Sequence, residues 1–179
     1  MAKKRKFCAY RATERPYTRF SKFKKLSFVK ARPVNRIVRY DMGSSKKKFP
    51  YSLHLVSKIT LQIRDNALES ARLSSNRMLE ENAGKNNYRM RIMIYPHHIL
   101  RENPLAAGAG ADRMSTGMKK SFGKTIGVCA QISKGQTIFK VDIGKSNLDL
   151  ARRALKRASQ KLPGSCTIEV TENKPAAKA

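Results

Sequence analysis

Residues Arg101 to Lys124 have the sequence RENPLAAGAGADRMSTGMKKSFGK, and the rest of the chain is predicted to be arranged around this stretch. Its first half, Pro104 to Ala111, contains only Pro, Leu, Ala and Gly. These residues cannot bury enough apolar surface to offset the entropy of ordering, so a long mobile loop is predicted, with bounds 102–118. Strands are predicted on both sides, over residues 88–95 and 125–132. Because loops on rigid scaffolds commonly carry function, the cations of this loop indicate contact with a polyanion.

The chain carries a large excess of positive charge. Its 179 residues include 39 Lys or Arg and 12 Asp or Glu, a formal net charge of +27. Self-repulsion at this charge destabilises a compact state, so a polyanionic partner is expected, with nucleic acid favoured over an acidic membrane surface. No apolar run approaches the roughly 18 residues that span a bilayer. No apolar segment follows the basic start MAKKRKF, so a cytosolic protein with no membrane partner is predicted.

The positive charge is concentrated near the start of the chain. Residues 1–48 contain 17 Lys or Arg and two acidic residues, and the six aromatic residues from Phe7 to Phe28 alternate with cations. Cations that contact phosphates and rings that stack on bases predict an RNA-binding arm over residues 1–35, a solvated tail being the alternative. The residues of this region predicted to bind RNA are Lys3, Lys4, Arg5, Lys6, Arg11, Arg15, Tyr17, Arg19, Lys22, Lys24, Lys25, Arg32 and Arg36.

Alternating apolar and polar residues predict six strands. They cover residues 36–41, 53–63, 88–95, 125–132, 136–143 and 166–171. The Ser-Lys-Gly segment 133–135 is predicted to join the fourth and fifth strands as a hairpin. With two helices, these strands predict an α+β domain over residues 36–171, followed by a C-terminal tail over 172–179.

The first predicted helix runs to about Asn82, with Asp65 or Asn66 as its cap and Gly84 as its stop. Its apolar face repeats at helical spacing. The residues of this face are Leu68, Ala71, Ser75, Met78 and Leu79.

The second predicted helix opens at Ser146, with Asp149 in the pattern of a capping box, and ends at Pro163-Gly164. Its apolar residues are Leu148, Ala151, Ala154, Leu155, Ala158 and Leu162. A basic face on a short helix is either solvated or in contact with RNA, and the net charge of the chain favours RNA. The cations of this face are Arg152, Arg153, Lys156, Arg157 and Lys161, and the first four are predicted to bind RNA.

Two phosphate-binding patterns in the sequence are incomplete. Gly123-Lys124-Thr125 resembles the end of a Walker A loop, but Met118 stands where that motif requires glycine. Gly108 and Gly110 begin a dinucleotide-binding pattern, but Arg113 occupies the position of its third glycine. The sequence therefore predicts no nucleotide cofactor.

Other candidate catalytic and metal-binding groups lack partners. His97 and His98 are adjacent, but no carboxylate or cysteine lies at metal-ligand spacing from them. Ser115 and Thr116 have no base placed by the sequence to activate them. The three cysteines form no CxxC pair and are odd in number, so neither a zinc site nor a disulfide framework is predicted. No metal, no cofactor and no catalytic residue are expected, which disfavours an RNA-modifying enzyme.

Several segments together resemble a known family. They are RPYTR at 15–19, IVRYDMG at 37–43, IRDNALESAR at 63–72, YPHHILREN at 95–103, AGADRMSTGMKKSFGK at 109–124 and LARRALKRASQKLPG at 150–164. They are similar to the large-subunit ribosomal protein family called L-sixteen in bacteria and L-ten-e in archaea and eukaryotes. The length of the chain resembles the archaeal form.

This resemblance implies a fold, a location and a set of partners. The fold is an α/β hammerhead-like single domain, a mixed and mainly antiparallel sheet with two helices. The location is the large ribosomal subunit, and the implied partners are its rRNA, nearby 5S rRNA, A-site and P-site tRNA and other large-subunit proteins. A ribosome-assembly factor that binds RNA without residing on the subunit is the alternative.

The resemblance also implies that the long loop points toward tRNA and the peptidyl transferase centre. We expect the loop to be poorly ordered without tRNA. The residues assigned to this tRNA-proximal region are Arg101, Gly108, Gly110, Asp112, Arg113, Met114, Gly117, Lys119, Lys120 and Lys124.

Overall fold

The structure, a computed structural model, describes residues 5–18, 21–27, 29, 32–102 and 123–173. Within these ranges the chain forms eight strands and two α-helices in an α+β arrangement. In chain order they are β1 (Asp41–Gly43), β2 (Tyr51–Ser57), β3 (Leu61–Arg64), α1 (Asp65–Ala83), β4 (Tyr88–Ile92), β5 (His98–Glu102), β6 (Lys124–Ile132), β7 (Thr137–Ile143), α2 (Leu148–Lys161) and β8 (Cys166–Glu172).

The strands form two antiparallel sheets. The large sheet has five strands in the order β1-β4-β7-β2-β8, and the small sheet has three in the order β3-β6-β5. The predicted fold, a mainly antiparallel sheet with two helices in one domain, is therefore confirmed. The small sheet carries both ends of the segment 103–122, since β5 ends at Glu102 and β6 begins at Lys124, which is paired with it.

The core lies between the large sheet and the two helices. A row of apolar side chains crosses all five strands at Met42, Met90, Val141, Leu53 and Val170, because directly paired residues of an antiparallel sheet share a face. The helices pack against each other on this side of the sheet. The buried faces of α1 and α2 agree with the helical spacing read from the sequence. These buried residues are Leu68, Ala71, Ser75 and Leu79 in α1 and Ala151, Ala154, Leu155 and Ala158 in α2.

The predicted strand over residues 36–41 is wrong for all but its last residue. The backbone N–H groups of Arg36 and Val38 donate to the carboxylates of Asp65 (3.2 Å) and Glu69 (3.4 Å) instead of to another strand. Ile37 is buried in the core, and Tyr40 is partly buried and packs against it. The segment is therefore held against α1 by side chains, and β1 starts at Asp41.

The predicted strand over residues 53–63 is two strands in different sheets, and the predicted hairpin after β6 is also wrong. β6 pairs with β3 and β5, whereas β7 pairs with β2 and β4. The connection from β2 to β3 and the connection from β6 to β7 each cross from one sheet to the other, and backbone hydrogen bonds join the two connections. Ser57 N–H donates to Gln136 C=O (3.0 Å), and Gly135 N–H donates to Ser57 C=O (2.8 Å). The apolar alternation continues through residues 58–60, so it does not mark the change of sheet.

Two further differences concern the start of α2 and the strand β5. The capping box at Ser146 is absent, since residues 145–147 form a short 3-10 turn and α2 starts after Asn147 without a side-chain cap. Strand β5 was not predicted, because Pro96 and the two histidines interrupt the apolar pattern before Ile99. Gly84 ends α1 with φ 78°, as predicted.

We predict that Gly43→Ala destabilises the protein strongly. Gly43 has φ +84°, and a Cβ at this position would collide with the Tyr88 carbonyl oxygen of the neighbouring strand. The free energy of unfolding, measured by urea denaturation, should fall by more than about 1 kcal/mol. Gly135→Ala is the matched control, because its φ is +82° and its Cβ would meet nothing within 4 Å. Equal losses in the two variants would contradict the role of the close approach to Tyr88.

Candidate nucleic-acid interface

The outer face of α2 is a continuous row of exposed cations. One side of this amphipathic helix is buried in the core, and the other carries Arg152, Arg153, Lys156, Arg157 and Lys161, all of them exposed. Among the described residues, none of these five forms an ion pair with a carboxylate. The helix therefore presents unneutralised charge at fixed spacing, as a surface for a phosphate backbone requires.

The described part of the N-terminal arm lies along the small sheet. Tyr17 N–H donates to Nδ1 of His98 (2.7 Å), and Ile99 N–H donates to the Tyr17 carbonyl (2.9 Å). The Gln131 side chain donates to the Glu14 carbonyl (2.7 Å). The arm thus occupies the outer edge of β5, an edge that would otherwise be left with unpaired backbone groups.

Side-chain contacts fix the same part of the arm. The guanidinium of Arg101 lies 3.7 Å from the ring centroid of Tyr17, and Tyr17 packs with Val29, Ile99 and Val128 in a small apolar cluster. A cation over a ring face is attracted by its quadrupole. One face of the Tyr17 ring is therefore occupied by the protein's own arginine.

The predicted arm cations fall into two groups. Lys6, Arg11, Arg15, Lys22, Lys24 and Lys25 are exposed, as is Arg36. Arg5 forms an ion pair with Glu102, and Arg32 donates to the Tyr95 hydroxyl (3.3 Å) and stacks on its ring. Arg5 and Arg32 therefore also hold the arm to the domain. Lys3, Lys4 and Arg19 lie outside the described residues.

The residues that lead into the segment 103–122 are tied to the arm. Arg101 contacts Tyr17, and Glu102 pairs with Arg5. Lys124 is exposed on β6, opposite Glu102. A Cβ on Gly123 would lie 2.7 Å from the Glu102 carbonyl oxygen, so only glycine allows this approach. Gly108, Gly110, Asp112, Arg113, Met114, Gly117, Lys119 and Lys120 lie outside the described residues.

A row of charged side chains on the large sheet was not identified from the sequence. Arg91, Lys140 and His54 form a row across β4, β7 and β2 on the face of the large sheet opposite the core. Asp142 accepts from Arg91 (3.2 Å) and from Ser52 (2.6 Å) and pairs with Lys140 (3.5 Å). Burial, with a smaller contribution from Lys140, lowers the pKa of His54. The sequence does carry a signal for this row, because cations alternate with apolar residues in RMRIM at 89–93.

Two buried side chains that carry reactive groups, Cys129 and His98, are engaged in contacts within the protein. Burial raises the pKa of the Cys129 thiol to about 12, and this thiol donates to Gln62 (3.0 Å), so it is not a nucleophile at neutral pH. His98 is buried and used to hold the arm. No cluster of His, Cys, Asp or Glu within the described ranges could hold a metal ion. None of the helices described here has the length and apolar character required to cross a membrane.

The chain is similar to known proteins over most of its length. The family model described as Ribosomal protein L16p/L10e matches residues 14–169. A protein named large ribosomal subunit protein uL16 from Methanococcus maripaludis is 46% identical over 166 residues, 92% of each chain. Proteins of the same name from Archaeoglobus fulgidus and Methanocella arvoryzae are 42% and 41% identical, covering 90% and 83% of this chain and 89% and 88% of theirs.

We predict that the contact of the arm with the small sheet weakens at acidic pH. Burial, with smaller contributions from His97 and Arg101, lowers the pKa of His98, and its Nδ1 accepts the Tyr17 N–H only when it is unprotonated. The contact is therefore fully formed above the ordinary histidine pKa of about 6.5. As pH falls below this value toward the lower folded-state pKa, the equilibrium constant for forming the contact decreases by up to about tenfold per pH unit.

Hydrogen exchange of the Ile99 amide, corrected for the intrinsic effect of pH, measures this loss of protection. In His98→Asn, which keeps an acceptor but does not titrate, protection should not change between pH 7.5 and pH 5.5. His54→Gln is the control, because it removes the other histidine whose pKa is lowered by burial, on the other sheet. A wild-type protection factor that is the same at both pH values would contradict the prediction.

Proposed function

Because this chain belongs to the ribosomal protein L16p/L10e family, we propose that it binds rRNA in the large ribosomal subunit and helps to position tRNA near the A site and the peptidyl transferase centre. Its role is that of a structural ribosomal protein, and its place is the large subunit in the cytoplasm. The match over residues 14–169 is the observation that carries this proposal.

In this proposal the rRNA is held by the α2 face and the arm. The α2 cations are exposed and have no acidic partner among the described residues, so phosphates can neutralise them. The exposed arm cations from Lys6 to Lys25 would add contacts to the same rRNA. Contacts to phosphates fix the register of a protein on RNA without reading its sequence, which suits a structural constituent. Residues 1–35 act as the arm and residues 36–171 as the domain. The tail expected over residues 172–179 begins after Asn173, because Glu172 belongs to β8 and Asn173 N–H donates to the Pro50 carbonyl.

The tRNA-proximal region is proposed to be the segment between β5 and β6. Glu102 and Lys124 are opposite each other at its two ends, and the arm contacts the β5 side through Arg5 and Tyr17. A cationic segment that leaves a fixed base can contact the phosphates of A-site and P-site tRNA, with Arg113, Lys119 and Lys120 supplying charge. Proximity to 5S rRNA and contacts with other large-subunit proteins belong to the same proposal. No catalytic step is assigned to the chain.

Sedimentation tests whether the protein resides on the subunit. We expect the tagged protein to migrate with the large subunit at about one copy per particle and to stay there after a high-salt wash, because many phosphate contacts act together. Release in the wash, or migration at the top of the gradient, would indicate a transient assembly factor instead.

The α2 face is tested by removing one charge at a time. Arg153→Gln should make the log-log dependence of rRNA affinity on salt less steep by about 0.7 to 0.9, the value for one phosphate contact. Lys134→Gln, in the exposed turn between β6 and β7, is the matched control and should leave the slope unchanged. Circular dichroism checks that α2 remains folded. An unchanged slope in Arg153→Gln would show that this side chain does not contact phosphate.

A further inference from the structure

Strand β8 forms an uncovered edge of the large sheet. It pairs with β2 over its whole length, from Tyr51 opposite Glu172 to Ser57 opposite Cys166, without a register shift. Within the described ranges, no strand pairs with its other side. The edge strand at the far end, β1, has only three residues, and the outer edge of β5 is bonded to Tyr17. β8 is therefore the longest edge that the described residues leave open.

The direction of its backbone groups follows from the bonds at its two ends. Lys58 N–H donates to the Ser165 carbonyl (3.0 Å), and Asn173 N–H donates to the Pro50 carbonyl (2.7 Å). Hydrogen-bonded pairs alternate along an antiparallel ladder, so Thr167, Glu169 and Thr171 are the residues of β8 that bond to β2. The N–H and C=O groups that point outward from the sheet are those of Cys166, Ile168, Val170 and Glu172.

This edge lacks most of the devices that normally protect one. Natural edge strands are blunted by charged side chains, above all Lys, by Pro or by a bulge. β8 has no Lys, no Pro and no bulge, and its charged side chains are Glu169 and Glu172. The Val170 side chain is also 39% exposed. An open, regular edge of seven residues is a template for a further strand.

The charge around β8 favours one class of partner. The longest stretch of the sequence without Lys or Arg is residues 162–173, and it contains Glu169 and Glu172. Both carboxylates are exposed, and neither forms an ion pair with a described cation. Phosphates would be repelled here, and a second copy of the chain would bring Glu against Glu. An extended polypeptide carrying Lys or Arg is complementary to this edge.

We propose that β8 accepts an extended, Lys- or Arg-bearing segment of a neighbouring large-subunit protein as a sixth strand of the large sheet. The inference rests on the proposed residence in the large subunit. Backbone hydrogen bonds from Ile168 and Val170 would supply the attachment, and Glu169 and Glu172 would select a cationic segment.

Hydrogen exchange of the full-length protein, free and in purified large subunits, tests this proposal. The outward amides of Ile168 and Val170 should exchange rapidly in the free protein and at least about tenfold more slowly in the subunit, because they gain partners there. The inward amides of Thr167, Glu169 and Thr171 are the internal control and should be protected in both states. Outward amides that exchange equally fast in both states would overturn the proposal.

Carbodiimide cross-linking identifies what lies on the edge. The reagent joins a carboxylate to a lysine in direct contact, so Glu169 or Glu172 should be recovered joined to a peptide of another large-subunit protein. Recovery of a peptide from residues 174–179, or from a second copy of this chain, would overturn the proposal. Ultraviolet cross-links from β8 to RNA without a peptide product would overturn it as well.

Val170→Pro and Val170→Ala form a matched pair of variants. Val170→Pro removes one outward N–H without removing a bond to β2, and Val170→Ala also alters the Val170 side chain but keeps the N–H. The cross-link should be lost in the proline variant and kept in the alanine variant, while both variants still sediment with the large subunit. If the wild type does not sediment with the subunit, the proposed function fails; if it does but its edge stays unprotected, only this inference fails.

Discussion

Repulsion among 39 cationic side chains, against only 12 acidic ones, is the constraint on which the rest of the structure depends. Acidic side chains form ion pairs with cations that lie against the sheets and helices of the protein itself. Asp41 and Asp142 neutralise arginines on the outer face of the large sheet, Glu69 holds Arg72 at 2.5 Å on α1, and Glu102 holds Arg5 at the base of the loop. The α2 cations have no such partner among the described residues, and their charge is left for a polyanion.

The small sheet joins the arm to the two ends of the segment 103–122. His98, Ile99, Arg101 and Glu102 all lie on β5, and each contacts the arm through a hydrogen bond, a ring contact or an ion pair. The same strand leads directly into the segment 103–122. Displacement of the arm would therefore remove contacts from Arg101 and Glu102, so in the proposed function binding of RNA by the arm and binding of tRNA by this segment would depend on each other.

The sequence predicted what depends on local periodicity and missed what depends on contacts distant in the chain. Both helices, their buried faces and the exposed α2 cations follow from 3.6-residue spacing, and they were found. The change of sheet at residues 58–60 was missed, because it is decided by the bonds of Ser57 to Gln136 and Gly135. The use of His98 and Arg101 to hold Tyr17 was missed for the same reason, since these partners are more than 80 residues apart.

The distribution of charge divides the surface of the domain by the chemistry of its partners. The helix α2 and the strand β8 are consecutive in the chain, yet α2 presents five exposed cations and β8 presents two glutamates and no cation. A protein that contacted only RNA would have no reason to keep its last strand free of Lys and Arg, since every added cation would strengthen phosphate binding. A protein placed between RNA and other proteins does have a reason, because a cationic segment can then bind at that edge and nucleic acid is repelled from it. The change of sign between α2 and β8 thus marks where contact with RNA would end and contact with protein would begin.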